Sequence, residues 1–351
     1  MKMNRENYRS YDAINYSLLS QVDKNPSKVN SDEDVWSKGI KFGTLVDYMC
    51  FEPDKVDEEF YVSNADREPS KTAKKLADWI LENYDPWITD TNDIFGKATF
   101  YNPEKETIHA LNDLLELAEE AVGSSTSFEK YGGVDYLKEK ILSQNKHVIS
   151  QELYDKAKYA TMTLNTHEFT RNYFVNFDKN VEIQNQVPLL WYPSYYDDEL
   201  ESPAKSLLDI VIINHEEKTV IPVDLKTTSS FAGGFETQMI KWRYYLQASY
   251  YWHAVKYVIN NHDKISHYAV KPFKFIVLSS KDVNHPYVYT TSANTIICGK
   301  NGGIIDRYDS EVRGWIQLIK DLKWHEKYDK WDYSREIYES NGNQELDIFT
   351  Q

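Results

Sequence analysis

The stretch 206–228, SLLDIVIINHEEKTVIPVDLKTT, sets Asp209 and then Asp224 and Lys226 inside two apolar runs. Leu207, Leu208, Ile210 and Val211 flank the first aspartate; Val220, Ile221 and Val223 precede the second. A charge taken out of water costs several kcal/mol unless it is paired or binds a metal. Side chains two apart on a strand share a face, so Asp224 and Lys226 point the same way. If NHEEK at 214–218 is the turn of a hairpin, Asp209 falls opposite Asp224 or within one residue of it. Two carboxylates held together repel, and one has its pKa raised. A hard divalent cation with oxygen ligands removes that conflict. A lysine beside it can polarise an attacking water or neutralise charge growing on a phosphate. Such a set suits metal-dependent phosphodiester hydrolysis. The alternative is a buried Asp–Lys ion pair that sets strand register and nothing else. Pro222 removes a ladder donor, so the second strand is expected to pair fully only after it or to bulge there.

The elements that must position these groups follow from periodicity. Residues 181–192 alternate as a strand, and KPFKFIVLSS (271–280) and HPYVYTTS (285–292) read as further strands. Residues 235–260 read as one long aromatic-rich helix and 310–328 as a late one. Upstream, 15–29 suggests a short helix stopped near Pro26. GIKFGTLVDYMCFEP (39–53) reads as an apolar helix that is opened by glycine, ends before proline and carries Asp47. Helical spacing at 69–84, 106–122, 126–142 and 149–165 makes 65–175 mostly helical. The order predicts an α/β fold, a mixed sheet flanked by helices, with a largely helical elaboration before it. No Pro- or Ser-rich linker divides the chain. A single domain over 1–351 is expected, with the elaboration at 65–175 and the catalytic core at 181–330.

Composition narrows the classes. Hydrophobic residues make up 41% and charged residues 27%, as in a globular protein rather than a disordered one. No apolar run approaches the roughly 20 residues of a membrane span. The first residues lack the apolar core of a signal peptide, so a cytoplasmic location is expected. Cys50 and Cys298 are too few for a disulfide framework and lack zinc-site spacing. A net charge of −15 excludes a protein coated in basic surface, and leaves room for a local basic groove. The 27 Tyr and 9 Trp could offer base-stacking platforms, although such residues more often fill cores and interfaces.

LLDIVIIN and VIPVDLKTTSS together resemble the core of the PD-(D/E)xK nuclease superfamily, with Asp on one strand and (D/E)xK on the next. Gln247 and Tyr251 in YLQASYYW match the QxxxY helix of its RecB-like branch and lie one helical turn apart. GTLVDYMCFEP resembles the GTxxH…LEP segment of exonuclease VIII (RecE-type) proteins and their phage relatives, with Asp47 in place of the histidine. INYSLLSQVDKNPSKV resembles that family's N-terminal helix.

The resemblance implies a restriction-endonuclease-like core and a Mg²⁺- or Mn²⁺-dependent DNA exonuclease, from a bacterial or phage-infected cytoplasm. Asp209, Asp224, Asp47 and the Leu225 backbone carbonyl would bind the metal. Lys226 would polarise the water, and Gln247 and Tyr251 would orient the scissile phosphate or Lys226. Aspartate suits Mg²⁺ at least as well as histidine, but Asp47 could equally be a helix-surface carboxylate. Many relatives carry a glutamate on the preceding strand. Its place here is Gln186, counted from Trp191, and Glu182 could substitute only in a different register or remain a surface glutamate. Lys241 and Arg243 are candidates for DNA phosphate contacts or plain solvated helix charge. Phage recombination, a homo-oligomeric ring and a strand-annealing partner are further implications. Two rival functions stand beside this one: a structure-specific or single-strand endonuclease, and an inactive nuclease-like binding protein.

Overall fold

The computed structural model describes residues 5–29, 38–63, 69–87, 99–103, 105–143, 146–305 and 310–343. The chain divides into two compact units, Met1–Phe51 with Lys158–Gln351, and Glu52–Ala157.

In the first unit the apolar runs form three antiparallel strands: β1 (Val181–Trp191), β2 (Ala204–Asn214) and β3 (Thr219–Thr228). The Asn214 carboxamide caps the turn by accepting the Glu217 N–H at 2.9 Å. β2 is buried on both faces, as its unbroken run of Leu, Ile and Val requires of a central strand. The sheet continues with β4 (Ala269–Val270), β5 (Lys274–Ser279) and β6 (Asp282–Thr290). Its order is β6-β5-β3-β2-β1, with β4 beside the start of β3. β3 runs parallel to β4 and β5, so the sheet is mixed as expected.

Pro222 neither delays pairing nor makes a bulge. It sits opposite Val211 in an unbroken register. On the other edge of β3 the neighbour changes from β4, at Thr219–Val220, to β5, from Val223. Proline occupies that change, where a missing N–H costs no ladder bond.

Helices α1 (Tyr16–Lys24) and α2 (Lys38–Phe51) precede the sheet. The parallel β3–β5 pair needs a crossover, made by α3 (Phe235–Lys241) and α4 (Tyr244–Asn260). These were expected as one helix. The break comes at Arg243, whose φ is 63°, a left-handed conformation unusual for a side-chain-bearing residue. Asp23 at the end of α1 takes the Arg243 guanidinium at 2.5 Å and Arg313 at 3.0 Å. α5 (Ala293–Asn301) and α6 (Trp315–Tyr328) follow. α4 is apolar on most sides because it runs through the core. Its Tyr250 meets Trp191 and Trp315 edge to face, with ring centroids 4.8 and 6.0 Å away.

The second unit packs helices Lys71–Asn83, Leu111–Val122 and Gly133–Ser143 round Leu76, Ile80, Phe100, Leu114 and Leu137. It is not helical alone. It also holds a parallel pair, Phe60–Ser63 with His147–Ser150, and a three-stranded antiparallel sheet. Residues Thr107–Ala110, expected as the first turn of a helix, are a strand of that sheet. Among the described residues no helix is long and apolar enough to cross a membrane.

α2 meets β3 at a glycine. A methyl group on Gly43 would lie 2.5 Å from Thr227 Oγ1. Glycine inside a helix costs about 1 kcal/mol relative to alanine, so here it marks close approach. Gly43 and Asp47 are one turn apart on one face, and the contact brings Asp47 to the strand that carries Lys226. Gly43→Ala should therefore do the reverse of an ordinary helix substitution and lower the thermal midpoint. Adding Thr227→Ala, which removes the obstructing oxygen, should restore it. A stabilised single variant, or no rescue, would show that this contact does not set the helix position.

Candidate active site

β2 and β3 are paired from Asn214↔Thr219 to Ile210↔Val223. Continued by one step, that register sets Asp209 opposite Asp224. There the ladder stops, and the Leu225 N–H donates instead to Asp209 Oδ2 at 2.8 Å. β1 stays with β2 past this point, through Val187↔Leu208 to Trp191↔Ala204. β3 stays with β5 through Thr228↔Ser279. The sheet thus forks between Asp209 and Asp224. In an extended strand a residue's N–H and C=O point the same way, so the Leu225 carbonyl faces the Asp209 side of the fork.

Four charged side chains meet there. Lys226 Nζ lies 2.5 Å from Asp224 Oδ2. Asp224 is 2% exposed and accepts from Gln247 Nε2 at 2.8 Å through its other oxygen. Asp209 Oδ1 has the Gln186 carboxamide at 3.4 Å. Asp47 feels the charges of Asp209, Lys226 and Asp224 from α2.

Three carboxylates face one ammonium, and the titration behaviour records the excess. Burial, then the Asp224 charge, lifts Asp209 to about 7 against the pull of Lys226, the Leu225 N–H and Gln186. Burial likewise raises Asp224, partly offset by Lys226 and Gln247. Burial and Asp209 push Asp47 well above the usual carboxylate range. For Lys226, burial alone would lower the pKa, but Asp224 and Asp209 outweigh it, so the ammonium stays charged.

The structure brings Asp47, Asp209, Asp224, Lys226 and Gln247 together. Tyr251 lies one turn beyond Gln247, packed edge-on to Tyr16 with ring centroids 6.2 Å apart. Burial raises its hydroxyl pKa well above the ordinary value, and Asp224 and Asp209 contribute. Gln247 holds Asp224 rather than Lys226. Glu182 is not brought in. It sits on β1 opposite Ile213, about 13 Å along the strand from Gln186 at ordinary strand rise, and pairs with His215 at 3.6 Å. Gln186 takes the place beside Asp209, with a φ of 49°. Arg243 is engaged by Asp23. Lys241 is exposed, 5.0 Å from the Trp242 ring centre. Sequence reasoning missed Tyr244, whose ring lies 5.0 Å from Lys226 Nζ. Its place directly after the helix break was the available signal, and the break itself was not seen.

Among the described residues no three His, Cys, Asp or Glu side chains are spaced as a ready-made metal cage. The donors nevertheless suit a hard cation. Mg²⁺ characteristically takes one or two carboxylates, water and substrate oxygens. Gln247 Oε1 is buried without a hydrogen bond, and buried Asp224 Oδ2 has the Lys226 ammonium at 2.5 Å. Buried acceptors of this kind are costly unless satisfied.

A pH test follows from the raised Asp209. Between its ordinary value near 4 and about 7 the folded protein binds more protons than the unfolded chain. This group therefore makes cation-free stability fall as pH rises through that interval, and the loss is complete above it. A divalent cation opposes the loss by pairing with the ionised form. Millimolar Mg²⁺ should raise the thermal midpoint by a few degrees at about pH 8 and little at about pH 5. Asp209→Asn should flatten both dependences. Equal midpoints with Mg²⁺ and EDTA at pH 8 would argue against a cation at the fork.

Comparison with known proteins adds an outline only. No family model matches the chain, and no curated protein matches it. Among solved structures, it is similar to the crystal structure of a candidate exonuclease from Eubacterium rectale at 11% identity, covering 100% of this chain and 97% of that one, with a TM-score of 0.46.

Proposed function

We propose that the chain is a divalent-cation-dependent deoxyribonuclease that hydrolyses phosphodiester bonds from DNA ends. The observation that carries the reading is the fork, where three carboxylates and one lysine converge with a net negative excess. The preference for ends comes from the resemblance to exonuclease VIII-type proteins. A phage recombination setting, a ring of copies and a strand-annealing partner belong to the same proposal.

Asp209, Asp224, Asp47 and the Leu225 carbonyl would hold Mg²⁺ or Mn²⁺. Bound there, the cation would supply Lewis-acid activation and charge neutralisation. Lys226, fixed against Asp224, would donate to the attacking water and then offset charge growing on the phosphate oxygens. Gln247 holds Asp224 so that one carboxylate oxygen stays turned toward Lys226. Tyr244, its ring 5.0 Å from Lys226 Nζ, would limit water beside the ammonium, and Tyr251 would help orient the scissile phosphate. The products would be a 5′-phosphate and a 3′-hydroxyl.

The test is digestion of linear and closed circular duplex DNA with Mg²⁺, Mn²⁺ or EDTA. Wild type should consume the linear DNA alone, only with a cation, and Lys226→Ala should lower the rate by about a hundredfold or more, the scale of one lost transition-state donor. Cutting of the circle would replace the exonuclease by an endonuclease. No cutting with either cation would leave an inactive binding protein.

A further inference from the structure

The break between α3 and α4 turns two aromatic residues in opposite senses. Tyr244, after Arg243, faces Lys226 with its ring 5.0 Å from Nζ. Trp242, before it, is 44% exposed. A left-handed arginine is a strained backbone kept by its surroundings, and such residues cluster at functional sites. Here Asp23 holds it.

Trp242 is fixed by its edges. Its Nε1–H donates to Gln238 Oε1 at 2.8 Å, and its carbonyl accepts from the Tyr16 hydroxyl at 2.9 Å. Lys24 and Lys241, both exposed, hold their ammonium groups over the ring, 5.3 and 5.0 Å from its centre, so a base stacks there only as a lysine swings off the ring to a phosphate. The other end of the Gln238 carboxamide reaches Ser230 Oγ at 3.4 Å, beside Phe231, which is 67% exposed. One amide thus links Trp242, which carries two lysines, to the segment of Ser230 and exposed Phe231, on a chain whose net charge is −15.

Indole faces with adjacent ammonium groups fit unpaired nucleotides: bases stack on the ring, and phosphates take the cations. Trp242 and Tyr244 are two residues apart, at most about 7 Å between α-carbons. Tyr244 in turn reaches Lys226 at the fork. Within a duplex only the terminal pair could offer a face to the indole, whereas an unpaired strand offers one at every base. We propose that Trp242, with Lys24 and Lys241, is the platform that seats an unpaired DNA strand beside the fork, so that the substrate enters the site as single strand. This rests on the nuclease reading and adds the form of its substrate.

The test measures binding of fluorescein-labelled oligothymidylate and of a blunt duplex in EDTA, where nothing is cut. Trp242→Ala should weaken oligothymidylate binding about tenfold or more, the scale of one lost base–aromatic stack. Trp242→Phe, which keeps the ring face but not the N–H, should retain most of it, and the blunt duplex should respond less. The double variant Lys24→Gln/Lys241→Gln should lower the slope of log K against log salt by about 1.4, for two phosphates at about 0.7 each. Unchanged oligothymidylate binding by Trp242→Ala, with wild type still degrading linear DNA, would overturn the platform and leave the nuclease. Wild type that neither binds nor cuts would overturn both.

Discussion

The constraint on which the structure depends is an unbalanced charge at a fork in a sheet. Asp47, Asp209 and Asp224 share one ammonium, Lys226, in a place where water is scarce. An ion pair needs only one carboxylate. The two further carboxylates cost free energy as the chain stands, and Asp209 near neutrality shows part of that cost met by a proton. The fork makes the arrangement possible. A continuous β2–β3 ladder would use the Leu225 N–H in strand pairing, and here it goes to Asp209 instead. The parting of two strands and the gathering of charge are therefore one event.

Rigid elements keep that cluster in place. Gln247 reaches Asp224 from α4, and α4 is locked by Tyr250 against Trp191 and Trp315. Ser249, one turn from Tyr245 on the same helix, donates to the Ile296 carbonyl and receives the Trp315 indole N–H. A methyl on Gly299 would lie 2.5 Å from Ser249 Cβ, so α5 also packs closely on α4. Near the start of α4, Asp23 gathers Arg243 and Arg313, and Arg313 reaches Asp321 at 3.3 Å. Removing one partner from such a network leaves the others with uncompensated charge.

Much of this was legible in the sequence, for stateable reasons. Asp209, Asp224 and Lys226 stood out because polar residues in apolar runs are costly, and the period of two with a short turn put Asp209 opposite Asp224 or within one residue of it. Gly43 and Asp47 were readable as a turn of helix, but the contact with Thr227 was not. What escaped depends on partners distant in sequence. Pro222 was misjudged because its effect depends on the neighbours at the other edge of β3, which lie about 50 residues away at helix-crossover range. The break at Arg243 carries no glycine or proline. The partner of its guanidinium, Asp23, lies 220 positions earlier. Thr107–Ala110 was read as helix because four residues are too short to show their own period against the helix that follows.

Gln186 bears on how much charge the fork can hold. Many members of the family that the sequence resembles carry a glutamate on the corresponding strand, and here a neutral amide takes the position beside Asp209. A fourth carboxylate would deepen an excess that already drives Asp209 toward protonation. The amide does the opposite by offering a donor to the ionised form. Its backbone is left-handed, so the chain accepts strain at this position. With three carboxylates, one main-chain carbonyl and one lysine, the fork has donors for one hard cation completed by water and substrate oxygens. A second cation would need further anionic ligands close by, and the strand-borne candidate, Glu182, is turned away to His215. On the proposed reading, the charge at the fork suits one cation rather than two, and Lys226 would supply by hydrogen bonding what a second cation would supply by coordination.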